Sequence, residues 1–367
     1  MSVRVLQVLG RSAGGIASHV ALLVREIDGR EGFQVGIAGP LDLPLVMPKA
    51  VHEVVVPDGP VVGHSKAIRR LRKTITEGNY EVVHAHGLRA GIDAAVAART
   101  AGVPVLLTCH NLLRPDVSGG LRARLYRRAE PLAVRLCART FAISKDMAAH
   151  LRRVSGAAAD KVELLYLGVG EEPSTTAQAD EVRKTLGVEK SRLVVTASRL
   201  SPQKALPVML DAIARLPDDV VLAILGQGPD EEELRAHAEH MGIAHRVLWL
   251  GWRDDAADLI AAANVFCLSS VWEGIPLAVQ EAMLLGTPVV GTRVGGMPEI
   301  VEDSAGGRLV PKNDPGALAE ALSEVLDSPQ TADRYAQRAR ERLLEVFSTD
   351  GMLATLKDAY GDAGRVA

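Results

Sequence analysis

Aromatic residues, cysteines and long apolar runs are all scarce in this sequence. Aromatic side chains make up 3% of its 367 residues, so we expect cores built mainly from Ala, Val and Leu. The three cysteines, Cys109, Cys137 and Cys267, lie far apart. This excludes a disulfide scaffold and a cysteine zinc site, and it favours a reducing compartment. Because no window approaches the roughly 20 consecutive apolar residues of a membrane helix, no membrane-spanning helix is predicted.

The N-terminal residues MSVRVLQVLG run directly into a strand pattern. They lack the basic head, the apolar stretch and the small-residue cleavage site of a signal peptide. We therefore expect a cytoplasmic protein.

The overall composition is that of a globular protein, with 47% hydrophobic and 24% charged residues. A chain of this length suits two domains of ordinary size. The charge is unevenly divided: residues 1–170 carry 23 lysines and arginines against 14 acidic residues, and the remainder carries 19 against 31. Either the two halves bind different partners, or charged residues are unevenly distributed over the surface without functional meaning.

Apolar, β-branched runs alternate with helical patterns along the whole chain. Continuous apolar strands are typical of parallel sheets covered on both faces, and the alternation predicts two doubly wound α/β domains. A polar stretch without periodicity, GVGEEPSTTAQADE, interrupts the pattern and indicates a linker. The predicted boundaries are 1–168 for the first domain, 169–182 for the linker, 183–345 for the second domain and 346–367 for a helical tail.

Two cations follow the first strand of the second half. Ligands of open α/β sheets bind at the carboxyl ends of the strands, and Arg199 and Lys204 lie on a loop that leaves such an end. The planar fork of Arg199 and the mobile ammonium of Lys204 can converge on one diphosphate. The alternative is that both are solvated surface cations.

A second loop carries two carboxylates beside a predicted helix start. Glu273 and Gly274 follow the strand VFCLSS, and Pro276 marks the first turn of a helix. The free N–H groups of a helix start bind anions, whereas the carboxylates of Glu273 and Glu281 suit hydroxyl groups, which donate hydrogen bonds to them. Together these features indicate a pocket for a sugar nucleotide, although a capping glutamate and a surface glutamate would give the same pattern.

The set of motifs resembles family 4 of the retaining glycosyltransferases, which have the GT-B fold. Glu273 and Glu281, with seven residues between them, form the most specific match. Further matches follow in order along the chain, at residues 14–15, 84–87, 108–111, 144–145, 199–204, 226–229, 250–252, 287–290 and 295–299. The resemblance covers nearly the whole chain. It implies two Rossmann-like domains facing across a cleft, with the last helix crossing back onto the N-terminal, acceptor-binding domain.

The resemblance implies a role for each matched residue. Arg199 and Lys204 would hold the donor diphosphate and stabilise the leaving nucleotide. Glu273 would bind donor-sugar hydroxyls, and Glu281 would bind the ribose. His110 would lie close to the reacting sugar carbon. Further donor contacts are implied for Gly15, for the backbone of Trp252 and Arg253, and for Gly274, Ile275, Pro276 and Leu277.

The resemblance also implies retaining chemistry without a metal ion or another cofactor. No Asp-x-Asp, the pair that metal-dependent transferases commonly use to hold a divalent ion, occurs in the chain. Two cations and a helix start would then stabilise the leaving diphosphate, and the phosphate itself would accept the proton of the acceptor. We expect a UDP- or GDP-sugar as the donor, and no metal site and no nucleic acid partner.

Some positions depart from the family pattern or allow a second interpretation. Residues 167–170 read Leu-Gly-Val-Gly where Asn-Gly-Val-Asp is usual, which puts a linker contact to the site in doubt but not the fold. Ala205 stands where a glycine usually follows the loop lysine. His110 could be a strand-end histidine bonded to a carbonyl, and His84 and His86 are expected to be structural or acceptor-side residues.

A basic stretch extends from Arg122 to Arg139. Helical spacing predicts arginines on one side and leucines opposite, namely Arg124, Arg127 and Arg128 against Leu125 and Leu132. Such a face could bind an anionic lipid surface or a phosphorylated acceptor. Lipid binding would place the protein peripherally on the inner face of the membrane. The alternative is a merely solvated face.

The sequence thus predicts a retaining glycosyltransferase that uses a nucleotide-diphosphate sugar, in the assembly of a bacterial envelope polysaccharide or glycolipid with a lipid-linked or anionic acceptor. A transferase for a small-molecule acceptor, such as a natural product, a thiol or an inositol, is the alternative that the basic stretch disfavours. A GT-B sugar-nucleotide epimerase is a further alternative, disfavoured by the pair Glu273 and Glu281.

Overall fold

The computed structural model describes residues 2–11, 15–30, 32–40, 50–57, 62–112, 121–170 and 172–366, without the side chains of 121–127, 365 and 366. The chain forms two compact units. The first unit is Met1–Gly170 together with Ser348–Ala367, and the second is Glu171–Phe347.

The first unit contains a seven-stranded sheet of parallel strands. In chain order the strands are β1 (Val3–Leu9), β2 (Phe33–Gly39), β3 (Ala50–Glu53), β4 (Val82–His86), β5 (Val105–Cys109), β6 (Arg139–Ala142) and β7 (Val162–Leu164). The accompanying helices are α1 (Gly15–Ile27), α2 (His64–Glu77), α3 (Leu88–Arg99), α4 (Leu121–Leu136) and α5 (Lys145–Ser155). The order in the sheet is β3-β2-β1-β4-β5-β6-β7, so the winding direction changes between β1 and β4.

The second unit contains a six-stranded parallel sheet. Its strands are β8 (Arg192–Ala197), β9 (Val220–Leu225), β10 (Val247–Gly251), β11 (Val265–Leu268), β12 (Val289–Thr292) and β13 (Arg308–Val310). Its helices are α6 (Ala179–Leu186), α7 (Leu206–Ile213), α8 (Glu231–His240), α9 (Ala256–Ala261), α10 (Leu277–Leu284), α11 (Met297–Ile300), α12 (Pro315–Leu326) and α13 (Pro329–Val346). The order β10-β9-β8-β11-β12-β13 changes direction between β8 and β11.

Both sheets have the continuous buried strands that the sequence predicts. All five residues of β4 and of β5 are buried, as are all six of β9. Each unit has its own core, in which Val, Leu, Ala and Ile predominate. Such strands need cover on both faces, so the prediction of two doubly wound α/β units is confirmed.

The last helix, α14 (Thr349–Val366), packs on the first unit. Its predicted apolar stripe is buried in the core of that unit, namely Met352, Leu353, Leu356 and Tyr360. The main-chain N–H of Gly168 donates to Sδ of Met352 at 3.0 Å, and a Cβ at Gly168 would lie 2.6 Å from Cα of Thr349. Gly168, in the atypical Leu-Gly-Val-Gly segment, therefore permits the close approach of α14. The prediction that the tail returns to the first unit is confirmed.

Helix α4 differs from the predicted amphipathic face. Leu132 is 46% exposed, and Arg128 and Arg135 are exposed with it. Residues four apart lie on the same side of a helix, so the prediction that Leu132 lies opposite Arg128 is wrong. The predicted positions Arg122, Arg124, Leu125 and Arg127 lie outside the described side chains. Among the helices that the structure describes, none combines the length and the apolar character needed to cross a bilayer.

Candidate functional site

In the second unit, the loops after β8 and β11 are joined where the sheet changes direction. The N–H of Val271 donates to the carbonyl of Gln203 at 2.9 Å, and Nε2 of Gln203 donates to the carbonyl of Trp272 at 2.9 Å. Oγ of Ser269 donates to the carbonyl of Lys204 at 2.9 Å. These bonds fix the two loops relative to each other at the edge of the sheet where open α/β folds bind ligands.

Lys204 and Glu273 form an ion pair across these loops. Nζ of Lys204 lies 2.5 Å from Oε1 of Glu273, and Oγ of Ser270 donates to the same oxygen at 2.5 Å. Glu273 is only 5% exposed, so the lysine compensates a charge that burial alone would make costly. Within the described residues, Oε2 of Glu273 accepts no hydrogen bond. One carboxylate oxygen is therefore paired with Lys204 and Ser270, and the other is available to a ligand.

Arg199, on the same loop as Lys204, is exposed and forms no ion pair or hydrogen bond through its side chain with any described residue. Its guanidinium donors are available to an anionic ligand. The structure thus separates the two predicted diphosphate ligands into one paired cation, Lys204, and one unpaired cation, Arg199.

A helix follows Glu273 as predicted, but it starts one residue later than expected, so that Pro276 precedes the first turn instead of lying in it. Helix α10 begins at Leu277, and Pro276 caps it with an extended backbone. Gly274, Ile275 and Pro276 are buried. The N–H of Gly296 donates to the carbonyl of Gly274 at 3.1 Å.

The double glycine at 295–296 has a structural reason that the motif alone does not give. Gly295 has a φ of +51°, and a Cβ at this position would overlap the carbonyl of Glu273. A Cβ at Gly296 would overlap the carbonyl of Gly274. Only glycines let the loop after β12 pack against the Glu273 segment, so they fix its position.

The loops after β9 and β10 extend the same edge. The N–H of Ser198 donates to the carbonyl of Leu225 at 2.9 Å, and the N–H of Gly226 donates to the carbonyl of Gly251 at 2.7 Å. Trp252, which follows β10, is 71% exposed. Arg253 donates two hydrogen bonds to the carboxylate of Asp255, at 2.7 and 2.5 Å, so its side chain is engaged locally.

Glu281 projects from α10 as an exposed residue. The protein atoms around its carboxyl group nevertheless raise its pKa above the ordinary value by desolvation. An accessible yet partly desolvated carboxyl group suits a hydroxyl-bearing ligand, because a hydroxyl group satisfies it by donating a hydrogen bond.

In the first unit, the structure places His110 in a buried cluster of histidines at the carboxyl ends of β4 and β5. Nδ1 of His86 lies 3.2 Å from Nε2 of His110. His110 is 6% exposed, and its partner is this imidazole rather than the carbonyl that the sequence left open. His19, on α1, has its ring centroid 5.5 Å from that of His86 and 5.3 Å from that of His110.

His84 has a structural position within this cluster. Its Nδ1 lies 2.7 Å from Oη of Tyr360, and its Nε2 lies 2.8 Å from Oγ1 of Thr108. Burial lowers the pKa of His84 to about 3 and that of His19 to about 4. Burial also holds the pKa values of His86 and His110 well below the ordinary range, so the four rings are neutral at neutral pH.

Gln7 and Tyr360 are parts of this cluster that the motifs did not indicate. Gln7 lies in β1, and its Oε1 is 2.8 Å from Nε2 of His86; its Nε2 donates to Oη of Tyr360 at 3.1 Å. A polar residue within the apolar run VRVLQVL was the one available signal for Gln7. Gly15, the remaining predicted residue, is the exposed first residue of α1, whereas Gly14 lies outside the described residues.

Ring nitrogens of His19, His86 and His110 lie within 4.8 Å of one another, a spacing compatible with a metal site. One nitrogen of His86 and one of His110 already face each other at hydrogen-bond distance. The two rings therefore need no ion to satisfy these atoms.

Two family models match the chain, one over each unit. "Glycosyltransferase Family 4" matches residues 13–172, and "Glycosyl transferases group 1" matches residues 178–342. The chain is 31% identical over 308 residues to the D-inositol 3-phosphate glycosyltransferase of Streptomyces scabiei, covering 77% of this chain and 68% of the relative. It is 28% identical over 308 residues to the UDP-Gal:alpha-D-GlcNAc-diphosphoundecaprenol alpha-1,3-galactosyltransferase of Escherichia coli, covering 81% and 79%.

The fold matches solved structures over nearly its whole length. The structure of Anabaena Alr3699/HepE in complex with UDP-glucose superposes with a TM-score of 0.83, covering 98% of this chain and 99% of that one at 22% identity. The family models of both halves, the motifs at the strand ends and the relatives all indicate the same family. The chain belongs to the family 4 glycosyltransferases, with the GT-B fold.

Proposed function

We propose that this glycosyltransferase retains the anomeric configuration of its donor, a nucleotide-diphosphate sugar, and transfers the sugar to an acceptor hydroxyl without a metal ion or another cofactor. The ion pair between Lys204 and Glu273 carries the proposal. It provides a carboxylate for sugar hydroxyls in immediate contact with a cation for phosphate, and it cancels the repulsion between that carboxylate and the diphosphate.

The donor is bound by charge and by main-chain groups. Arg199 and the two N–H groups that Lys204 does not donate to Glu273 bind the diphosphate, and the start of α10 adds its free N–H groups. Oε2 of Glu273 accepts a hydrogen bond from a sugar hydroxyl. Glu281 binds the ribose hydroxyls, and the backbone at Trp252 and Arg253 contacts the base.

The chemistry follows from where negative charge develops. As the bond between the anomeric carbon and the diphosphate oxygen breaks, the leaving oxygen gains charge, which Arg199 and Lys204 stabilise. The acceptor oxygen attacks from the same face, and its proton passes to the leaving phosphate. The fixed cations are then the main source of catalysis, and removal of one such donor is expected to cost about 10²–10³ in rate.

A UDP-sugar is the favoured donor, and a GDP-sugar is the second. The Anabaena structure holds UDP-glucose, and the Escherichia coli relative is named for UDP-Gal. Both have the base and diphosphate that the loops after β8 and β10 are proposed to bind.

A lipid-linked or anionic acceptor of the bacterial envelope is the favoured acceptor class. The Escherichia coli relative is named for a diphosphoundecaprenol acceptor. On α4, Leu132 is exposed between Arg128 and Arg135, and an apolar side chain flanked by cations suits an anionic lipid surface.

A small phosphorylated polyol is the second candidate acceptor, because the Streptomyces relative is named for D-inositol 3-phosphate. Flotation with vesicles that contain anionic lipid separates the two. Binding that is lost in L132S and weakened in R128Q and R135Q supports the first candidate. Absence of binding favours the second.

The proposed function is tested by a donor screen followed by product analysis. Thermal unfolding is recorded with UDP-, GDP- and ADP-sugars, because a bound donor raises the unfolding temperature by mass action. The stabilising donor is then incubated with acceptor candidates, and the anomeric configuration of the product is read from proton coupling constants. An inverted anomeric centre would contradict the retaining mechanism, and stabilisation by no nucleotide sugar would contradict the donor site.

A further inference from the structure

A chain of hydrogen bonds connects the C-terminal helix with His110. From Oη of Tyr360 it passes to Nε2 of Gln7 at 3.1 Å, and from Oε1 of Gln7 to Nε2 of His86 at 2.8 Å. The last step joins Nδ1 of His86 to Nε2 of His110 at 3.2 Å. All four side chains are buried, so water does not compete for these bonds.

The amide of Gln7 determines where the protons lie on both rings. Because its Nε2 donates to Tyr360, its Oε1 faces His86 and can only accept. Nε2 of His86 therefore carries the proton. In a neutral ring the other nitrogen is then bare, so Nδ1 of His86 accepts a hydrogen bond from Nε2–H of His110.

The consequence for His110 is a bare Nδ1. Within the described part of the chain, Nδ1 of His110 makes no hydrogen bond. Because Nε2 is occupied by His86, Nδ1 is the ring nitrogen of His110 that is left for a ligand. A bare imidazole nitrogen accepts a hydrogen bond from a hydroxyl group and repels a phosphate or carbonyl oxygen.

His19 does not set the proton positions. Its ring contacts His86 and His110 edge-on, but neither of its nitrogens has a hydrogen-bond partner among the described residues. His84 bonds to Tyr360 and Thr108 and not to His110. The route through Gln7 and His86 is thus the one along which the protonation of His110 is specified.

We propose that Gln7 and His86 are positioning residues that hold His110 in the Nε2-protonated form, so that its Nδ1 accepts a hydrogen bond from a substrate hydroxyl. The proposal rests on the proposed function for the identity of the substrate, a sugar or polyol. The protonation pattern itself is independent of that function, and the two are tested separately.

The test is the tautomer of His110, read in two-bond ¹H–¹⁵N correlation spectra of protein labelled with ¹⁵N-histidine and assigned with H110N. The wild type should show a protonated Nε2 and a bare Nδ1. Q7M removes the acceptor for His86 and should give a mixture of tautomers at His110. Y360F removes the partner that orients the amide and should do the same in smaller degree.

The matched control is Y80F, because Oη of Tyr80 lies 2.8 Å from Nε2 of His52, elsewhere in the same unit. It loses a hydrogen bond between a tyrosine and a histidine but should leave the spectrum of His110 unchanged. With transfer activity established, Q7M should lower kcat/KM about 2- to 10-fold, the value of one hydrogen bond, whereas Y80F should not.

Three results would overturn the proposal. They are a protonated Nδ1 of His110 in the wild type, an unchanged tautomer in both Q7M and Y360F, and a stoichiometric metal ion in purified protein, which would take the lone pairs that the hydrogen bonds use. Failure of the proposed function is distinguishable from failure of this proposal. In that case the wild type would show no sugar transfer, but the tautomer of His110 would still be the predicted one.

Discussion

Nζ of Lys204 and Oγ of Ser270 both donate hydrogen bonds to Oε1 of Glu273. The other carboxylate oxygen, Oε2, is therefore available to a ligand. The pair places a positive charge against a buried carboxylate, beside the proposed binding site for the donor diphosphate. In the proposed function it also couples sugar recognition to phosphate recognition, because displacing either side chain removes the opposite charge that compensates the other. Substitutions at Glu273 should therefore affect the sugar and the diphosphate differently.

E273Q should lower kcat more than it lowers donor affinity. The amide retains the shape but exchanges a charged acceptor for a neutral one, and the contact to the sugar matters most as the sugar gains positive charge. A hydrogen bond to a charged group is worth about 1.5–3 kcal/mol, which corresponds to about 10- to 150-fold in rate. Steady-state kinetics together with calorimetric titration of the nucleoside diphosphate measure both quantities.

The nucleoside diphosphate alone should bind E273Q as well as the wild type or more tightly, because Lys204 loses its internal partner. E281Q, on the following helix α10, is the comparison. It should weaken binding of the free nucleotide because the proposed partner of Glu281 is the ribose. Equal loss of nucleotide binding in both variants would show that the roles of Glu273 and Glu281 are assigned wrongly.

Transfer should continue in EDTA without added metal. In the proposed site, Arg199 and Lys204 supply the charge that a divalent ion supplies in other transferases, and R199Q should cost about 10²–10³ in kcat. Initial rates with EDTA, with Mg²⁺ and with Mn²⁺ check the first expectation. A strict requirement for either ion, or full activity of R199Q, would refute the assignment of the diphosphate site.

Much of this site could be predicted because its residues lie on the loops that follow strong strand signals. Arg199 and Glu273 each follow a continuous apolar run, and parallel strands bring such loops to one edge of the sheet. The contact between Lys204 and Glu273 could not be predicted, since 69 positions separate them in the sequence. The sequence also assigned a separate ligand to each side chain, a phosphate to Lys204 and sugar hydroxyls to Glu273.

Two short strands and one residue of the histidine cluster have local signals too weak for prediction from the sequence. β7 (Val162–Leu164) and β13 (Arg308–Val310) have three residues each, too few for any periodicity. Tyr360 reads as one member of the apolar stripe of α14, and only the fold shows that its hydroxyl meets Gln7 and His84. The error at Leu132 on α4 was one of helical spacing, because a residue four positions after Arg128 lies on the same side of the helix.

The stability of the first unit should fall steeply as the pH decreases from about 6.5 to 4. Burial lowers the pKa of His19 to about 4 and that of His84 to about 3. Below pH 6.5 the unfolded chain binds protons that the folded rings reject, so stability is present above that pH and is lost below it. Each such ring contributes about 1.4 kcal/mol per pH unit in this window. The raised pKa of Glu281 acts in the opposite direction, in the second unit.

Urea unfolding at a series of pH values measures this slope, and H19L is its control. Both ring nitrogens of His19 are buried without a partner, so leucine removes an uncompensated cost and should not lower stability at pH 7. It should also reduce the slope between pH 4 and 6.5 by about one proton. An unchanged slope in H19L would contradict the assignment of these protons to the histidine cluster.

G295A should impair the site beyond the cost of its backbone strain. Gly295 has a φ of +51°, and its new methyl group would overlap the carbonyl of Glu273, so the Glu273 loop must move. G187A is the matched control in the same unit, because Gly187 has a φ of +69° and a Cβ there meets nothing within 4 Å. Each substitution should lower the free energy of unfolding by about 1–2 kcal/mol because of the left-handed backbone, as measured by thermal unfolding.

The two variants should differ in activity. G187A should keep its activity, whereas displacement of Glu273 by about 1 Å should lower kcat about 10²-fold in G295A. Equal activity of the two variants would show that the loop after β12 does not position Glu273.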